Sequence, residues 1–228
     1  MNFDFRYMLS IIPQILGYLP VTLLISFLSI LLATVLGIIF ALLLRFKNHS
    51  GVLKLLPAFA HLYISFFRGT PVLVQLLIIY FGLPQLFPAL NSMSALNAVV
   101  LGLSLNTSAY LAEIFRAAID SVDKGQLEAS LASGLTVFQA SWRIVFPQAC
   151  RNAIPATGNV YIGLIKNSSL AFTLGVTELL AAGKLAATES LKYFEAYFAV
   201  GLIYWAMTII LSELQRRLER FVNKPYLH

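Results

Sequence analysis

The chain has 228 residues, of which 59% are hydrophobic and only 11% charged, and its mean hydropathy is +0.80. Soluble domains usually carry about 25% charged residues, so this composition leaves too little polar surface for a water-soluble fold. The net charge of +6 does not point to nucleic acid, because the basic residues gather in short segments between apolar runs, as membrane topology requires.

The N-terminus does not read as a cleaved signal. Asp4 and Arg6 balance each other, and the apolar stretch that follows is far longer than a signal core of about 7–15 residues. No charge lies between Arg6 and Arg45, and none between Arg68 and Glu113. Crossing hydrocarbon takes about 20 mostly apolar helical residues. Five spans are expected on this basis: Leu19 to Leu44, Val72 to Leu86, Ala95 to Ile119, Ala156 to Gly183 and Tyr193 to Leu214. Leu55 to Phe67 is expected as a tilted or re-entrant lead-in to the second. Within the first span, Thr22, Ser26, Ser29, Ala33 and Gly37 recur at three- or four-residue spacing, a small-residue face suited to close helix packing in lipid.

The connections sort by charge. Arg45 to Lys54 holds three basic residues, and the tail after Leu214 holds Arg216, Arg217, Arg220 and Lys224. Arg116 to Arg151 holds four, whereas Leu83 to Ser94 is uncharged and Gly183 to Lys192 is short and mixed. The positive-inside rule puts the basic group in the cytoplasm, which gives an N-terminus outside and a C-terminus inside. The single cysteine, Cys150, excludes a disulfide framework or a cysteine-cluster metal site, and is expected to pack as a small apolar residue. His49, His61 and His228 offer no ligand spacing, so no metal and no cofactor is expected.

Arg116 to Arg151 is too long for a simple connector. Leu127, Leu131, Leu135, Phe138, Trp142 and Val145 repeat at three or four residues, the pattern of an amphipathic helix. Gly134 and Pro147 interrupt it, so two short helices with a turn near Gly134 and Leu135 are expected. Their apolar face packs either against the membrane helices or against a cytoplasmic partner.

Glu128, Ala129 and Ser130, followed by Gly134, Ile144 and Pro147, resemble the EAA loop of ABC importer membrane subunits, with Ser130 replacing the usual second alanine. Three further stretches are similar to the polar amino-acid permease branch of that family, which includes histidine, glutamine and cystine permeases. They are Phe67 to Pro71, Asn106 to Arg116 and Lys166 to Leu170, with Asn167 standing where many relatives carry aspartate. The resemblance implies an all-α integral membrane protein of the type I ABC importer kind. Residues 1–228 would form one permease domain in a bacterial plasma membrane, with 120–150 as the coupling loop. It also implies a homodimer or a heterodimer with a paralogous permease. Two ATP-binding subunits would dock on Glu128, Ala129, Ser130, Gly134, Leu135, Ile144 and Pro147, and an extracellular or periplasmic binding protein would deliver the amino acid. The chain has no G-x-x-x-x-G-K-[ST] phosphate loop, so it is not itself expected to be an enzyme.

Polar groups in hydrocarbon are expensive and point to function. Lys166 lies about 20 Å of helix beyond Arg151 at 1.5 Å per residue, near mid-membrane. It shares a helical face with Ser169, Thr173 and Thr177, and is followed by Asn167 and Ser168. Asn106, Tyr110 and Glu113 share a face of the third span, and Arg68, Gly69 and Thr70 stand at the mouth of the second. A free amino acid carries a carboxylate and an ammonium. Lys166 or Arg68 could meet the first and Glu113 the second, unless Glu113 is paired with Arg68 or Arg116 as a structural lock. Cystine, glutamine and basic amino acids all remain open as substrates. The competing reading is a secondary carrier or channel independent of an ATPase. Such proteins often show inverted repeats, and none is visible here.

Overall fold

The computed structural model describes residues 3–45 and 55–223, and within them every regular element is a helix. In chain order these are α1 (Phe5–Leu16), α2 (Leu19–Arg45), α3 (Leu55–Gly69), α4 (Val72–Leu86), α5 (Ala95–Asp120), α6 (Lys124–Ala132), α7 (Val137–Leu174), α8 (Leu179–Ser190) and α9 (Tyr193–Asn223). Lys47, His49, Lys54, Lys224 and His228 lie outside the described residues. Helices α2, α5 and α9 are each long and apolar enough to cross a bilayer alone. The pairs α3–α4 and α7–α8, bent by 110° and 53°, qualify only as pairs, which makes five spans if each pair counts as one.

The expected stripe on α2 is the buried one. Thr22, Ser26, Ser29 and Ala33 are sealed from solvent while Phe27, Leu31, Val35 and Leu42 face outward. Small groups inside and large apolar groups outside is the arrangement lipid favours. The buried stripe packs along α5. A side chain added at Gly37 would place its Cβ 2.8 Å from Leu111 Cβ, so only glycine admits this approach. Ser29 Oγ donates to the carbonyl of Val100 across the same interface at 3.3 Å. Beside it, Tyr63 of α3 stacks on Phe40 of α2 with ring centroids 4.0 Å apart and hydrogen-bonds Ser108 of α5 at 2.7 Å.

Two elements depart from the sequence reading. Helix α1 was not anticipated. Its Met8, Ile11 and Ile15 lie on one face and are buried against α8 and α9, with Leu179, Ala186, Ala196, Ala199 and Val200. The expected span Ala156 to Gly183 is not one helix either. Helical structure begins at Val137, narrows to a 3-10 turn over Ser168–Leu174, and stops at Gly175, whose φ of +85° is left-handed. The narrowing has a local cause. The hydroxyls of Ser168, Ser169 and Thr173 each donate to the carbonyl three residues back, at 2.6–2.7 Å, which favours the tighter 3-10 winding. Thr177 therefore falls beyond the turn and off the face it was expected to share. Gly183 to Ser190, expected as a connector, is helical in α8.

The restart at α8 requires a cap inside the protein. Glu178, fully buried, accepts from the backbone N–H groups of Leu180 and Ala181, both at 2.9 Å, and from the Tyr204 hydroxyl of α9 at 2.8 Å. Thr22 Oγ1 of α2 accepts from the Leu179 N–H at 3.3 Å. Three helices thus hold the break. Two π turns, Ile78–Gly82 in α4 and Ser141–Val145 in α7, each stand two residues before a proline, Pro84 and Pro147. A proline ring clashes with the carbonyl four residues back, and local widening of the helix relieves that clash. Cys150, expected to be packed, is exposed on α7.

Asp4 caps α1 by accepting from the Tyr7 N–H at 2.9 Å, and it pairs with Lys192 at 2.6 Å. The Asp4 backbone N–H donates to buried Glu195 at 3.0 Å. The lysine hydrogen bond holds the Asp4 carboxyl below its ordinary value, and Asp4 in turn holds the Lys192 ammonium above its own. A lowered carboxyl contributes stability above its unfolded value and loses it as pH falls through the folded one. A raised ammonium contributes below its unfolded value and loses it as pH rises through the folded one. Protection factors of the α1 amides, taken against the intrinsic exchange rate at each pH, should therefore fall as pH drops below about 4, and Asp4→Asn should flatten that dependence. Separately, Gly37→Leu should lower stability in detergent by roughly 1–3 kcal/mol through overpacking, read as a drop in Tm. At the outward position Ile38→Leu should stay within about 0.5 kcal/mol.

Candidate functional site

The site begins with a helix that has to stop. A residue preceding proline is driven out of the helical region, so α3 ends before Thr70-Pro71, and Pro71 is extended with φ −62° and ψ 132°. The stop leaves the last carbonyls of α3 without helical partners, in a position where water is scarce. Side chains supply the missing donors. Thr70 Oγ1 donates to the Phe66 carbonyl at 2.8 Å. Gln75 Nε2 reaches the carbonyls of Phe67 at 3.0 Å and Thr70 at 3.1 Å, and the Thr70 hydroxyl at 2.7 Å. Asn106 Nδ2 of α5 donates to the Phe67 carbonyl at 2.8 Å and to Gln75 Oε1 at 3.0 Å.

Because a carbonyl can only accept, this network fixes which end of each amide points where. Both Nδ2 hydrogens of Asn106 are engaged, which leaves its Oδ1 as the acceptor open to a visiting molecule. Gln75 is 2% exposed. It is the residue that the sequence reading missed, and its only signal was an amide flanked on both sides by apolar residues.

Above this bend lies a cavity of about 360 Å³, within the range that suits one small molecule. Its walls come from three elements: Thr70, Pro71 and Val72 at the bend, Asn106, Thr107 and Tyr110 of α5, and Val160, Gly163, Leu164 and Asn167 of α7. Four expected residues, Thr70, Asn106, Tyr110 and Asn167, thus come together from three separate stretches. Arg68 sits beside them, with Cζ 5.5 Å from the centroid of the Tyr110 ring. A Cβ built on Gly163 would meet nothing within 4 Å, so this glycine is a gap in the α7 wall.

The remaining expected residues lie elsewhere. Glu113 is not at the cavity, and its carboxylate accepts from Arg116 at 2.7 Å, one turn along α5. Gly69 is exposed in the bend. Lys166 is exposed and is not among the lining residues, because each step along a helix rotates the side chain away from that of its neighbour. Ser168 is buried and bonded to its own helix, and Ser169 and Thr173 are likewise turned back onto the backbone.

A second feature lies at the other expected site. Asp123 caps α6, and α6 ends in a turn at Gly134, whose φ of +87° favours glycine. Leu135 N–H closes the turn on the Ser130 carbonyl at 3.2 Å. Thr136 and Gln139 then form a reciprocal capping box that starts α7. The two expected short helices are therefore one short helix and the beginning of a long one. Glu128, Ala129 and Pro147 are exposed, Leu135 and Ile144 half-buried, and Ser130 buried with its hydroxyl on the Gln126 carbonyl. The anticipated apolar stripe is covered only in part: Leu127, Leu135 and Val145 are half-buried, whereas Phe138 and Trp142 are 77% and 61% exposed, and Trp142 stacks on Phe146 at 4.9 Å.

Residues 33–224 match the family described as binding-protein-dependent transport system inner membrane component. The chain is 56% identical over 223 residues to the probable amino-acid permease protein YxeN of Bacillus subtilis strain 168, covering 98% of this chain and 97% of that one. It is 45% identical over 227 residues, all of both chains, to the probable amino-acid ABC transporter permease protein PatM of Vibrio harveyi. A crystal structure of an amino acid ABC transporter with histidines superposes with a TM-score of 0.86 at 36% identity, covering 96% of this chain and 99% of that one. The bent spans, the small-residue interfaces and the helix–turn–helix at Gly134 thus belong to a membrane-spanning member of the binding-protein-dependent transport system inner membrane component family.

Proposed function

We propose that this chain is the permease subunit of an ATP-driven importer of amino acids, and that substrate passes through the cavity walled by Thr70, Asn106, Tyr110 and Asn167. One observation carries the cavity's role. Polar side chains from three distant segments converge on a space of about 360 Å³, in a chain whose relatives are amino-acid permeases along their whole length. Polar convergence inside a bundle is expensive unless it is used. In this reading Asn106 Oδ1 receives the substrate ammonium and Arg68 the carboxylate, while Gln75 holds Asn106 in place.

The exposed segment from Glu128 to Pro147 is where an ATP-hydrolysing subunit docks. Leu131, Val137, Phe138, Trp142 and Phe146 give it an apolar contact surface, and Gly134 sets the angle between its two arms. Two permease chains, either identical or paralogous, and two ATPase subunits complete the machine. A binding protein meets it on the side of the N-terminus, outside the cell, and the arginine-rich end of α9 faces the cytoplasm.

Reconstitution with a partner ATPase and binding protein in liposomes tests this. ATP-dependent uptake of an amino acid is the expected result, and uptake that persists without the ATPase would sink the proposal. Gly163→Leu should abolish uptake by filling the cavity while leaving the complex assembled on a sizing column. Gly134→Val should weaken ATPase co-purification, since a β-branched residue at φ +87° costs about 1–3 kcal/mol of backbone strain.

A further inference from the structure

We infer that the cavity selects amino acids whose side chains are neutral or acidic and rejects those with cationic side chains, with Asn167 as the position that sets this preference. The inference rests on the importer reading above. The polar lining side chains, Thr70, Asn106, Thr107, Tyr110 and Asn167, are all uncharged, and among the described residues no carboxylate reaches the cavity wall. The nearest acid on the same helix is Glu113, one turn past Tyr110. Its Oε2 is held by Arg116 at 2.7 and 3.2 Å, and Arg116 is held in turn by Asp120 at 3.2 Å. That carboxylate is already compensated.

Positive charge is in surplus on the other side of the balance. Arg68 lies beside the cavity against the Tyr110 ring and makes no ion pair among the described residues. A substrate α-carboxylate, or a second one on its side chain, meets a cation here. An α-ammonium meets neutral acceptors, chiefly Asn106 Oδ1. A second ammonium or a guanidinium would lose its water without gaining a counter-charge, beside an Arg68 guanidinium that repels it. Asn167 makes no hydrogen bond among the described residues. Its isosteric replacement by aspartate would add one carboxylate to the wall and break no contact.

The test uses the assembled permease–ATPase complex in two assays. One is equilibrium binding of radiolabelled glutamine, glutamate, cystine, arginine and lysine without the binding protein, and the other is ATP-driven uptake of the standard amino acids and cystine in liposomes with it. Arginine and lysine should bind at least about tenfold more weakly than the best of the other three. Asn167→Asp should raise arginine affinity by a comparable factor and lower that for glutamate. Wild-type complex that binds arginine or lysine as tightly as the best neutral or acidic ligand overturns the inference, whatever the variant does. An unchanged ranking in a well-folded Asn167→Asp complex overturns it too. Uptake without measurable binding to the complex removes the selectivity from this cavity and leaves the importer reading standing. No ATP-dependent uptake of any of these compounds removes both.

Discussion

A helix that breaks inside a bilayer presents carbonyl and amide groups to a medium that cannot hydrate them, and every such group has to be satisfied by the protein itself. Among the described residues, the breaks at Gly69–Pro71 and at Gly175–Glu178 are each closed by one long polar side chain. Gln75 donates into the carbonyl end that α3 leaves behind. Glu178 accepts from the amide end that α8 presents. The chemistry matches the polarity of each terminus, an amide N–H for carbonyls and a carboxylate for N–H groups.

The cavity follows from the first of these repairs. Once Gln75 has turned inward to seal the bend, its own Oε1 needs a donor, and Asn106 supplies it from α5. That bond orients Asn106 with its acceptor free, so the polar character of the site is a by-product of satisfying the backbone. The second repair ties α8 to α2 and α9 through Thr22 and Tyr204, and it gives α1 a surface of small residues, Ala186 and Ala187 among them, on which to lie. Elsewhere the frame is held by close approach, with glycine and serine at the α2–α5 contact and bulky residues turned toward lipid.

Spans were readable because lipid imposes a coarse rule of length and apolarity. Val72 to Leu86 matches α4, and Leu55 to Phe67, expected as a tilted or re-entrant lead-in, is helical in α3 and bent by 110° against it. The buried face of α2 was readable for the same reason, since small residues at helical spacing have few other uses in hydrocarbon. The breaks were not. Gly175 is one glycine among 13, and the restart after it is held by Tyr204 on Glu178 and by the Leu179 N–H on Thr22, contacts 26 and 157 residues apart in sequence. The site was half legible. Asn106 and Tyr110 stand one helical turn apart and both line the cavity, while Glu113 of the same expected face is paired with Arg116, and Lys166, Ser169 and Thr173 were grouped on an ideal helix that the hydroxyls themselves wind into a 3-10 turn. Helix α1 escaped notice because its stripe of Met8, Ile11 and Ile15 is too short to span, and hydropathy merged it with α2.

The side chains of the cavity wall carry unequal structural duties. Asn106 is bound into the seal of a helix break, so replacing it disturbs the fold before it disturbs recognition. Asn167 forms no bond, and a side chain at Gly163 would meet open space. A substitution at the α7 wall therefore reshapes the cavity without costing the fold a hydrogen bond, whereas one at the bend uncovers a helix end.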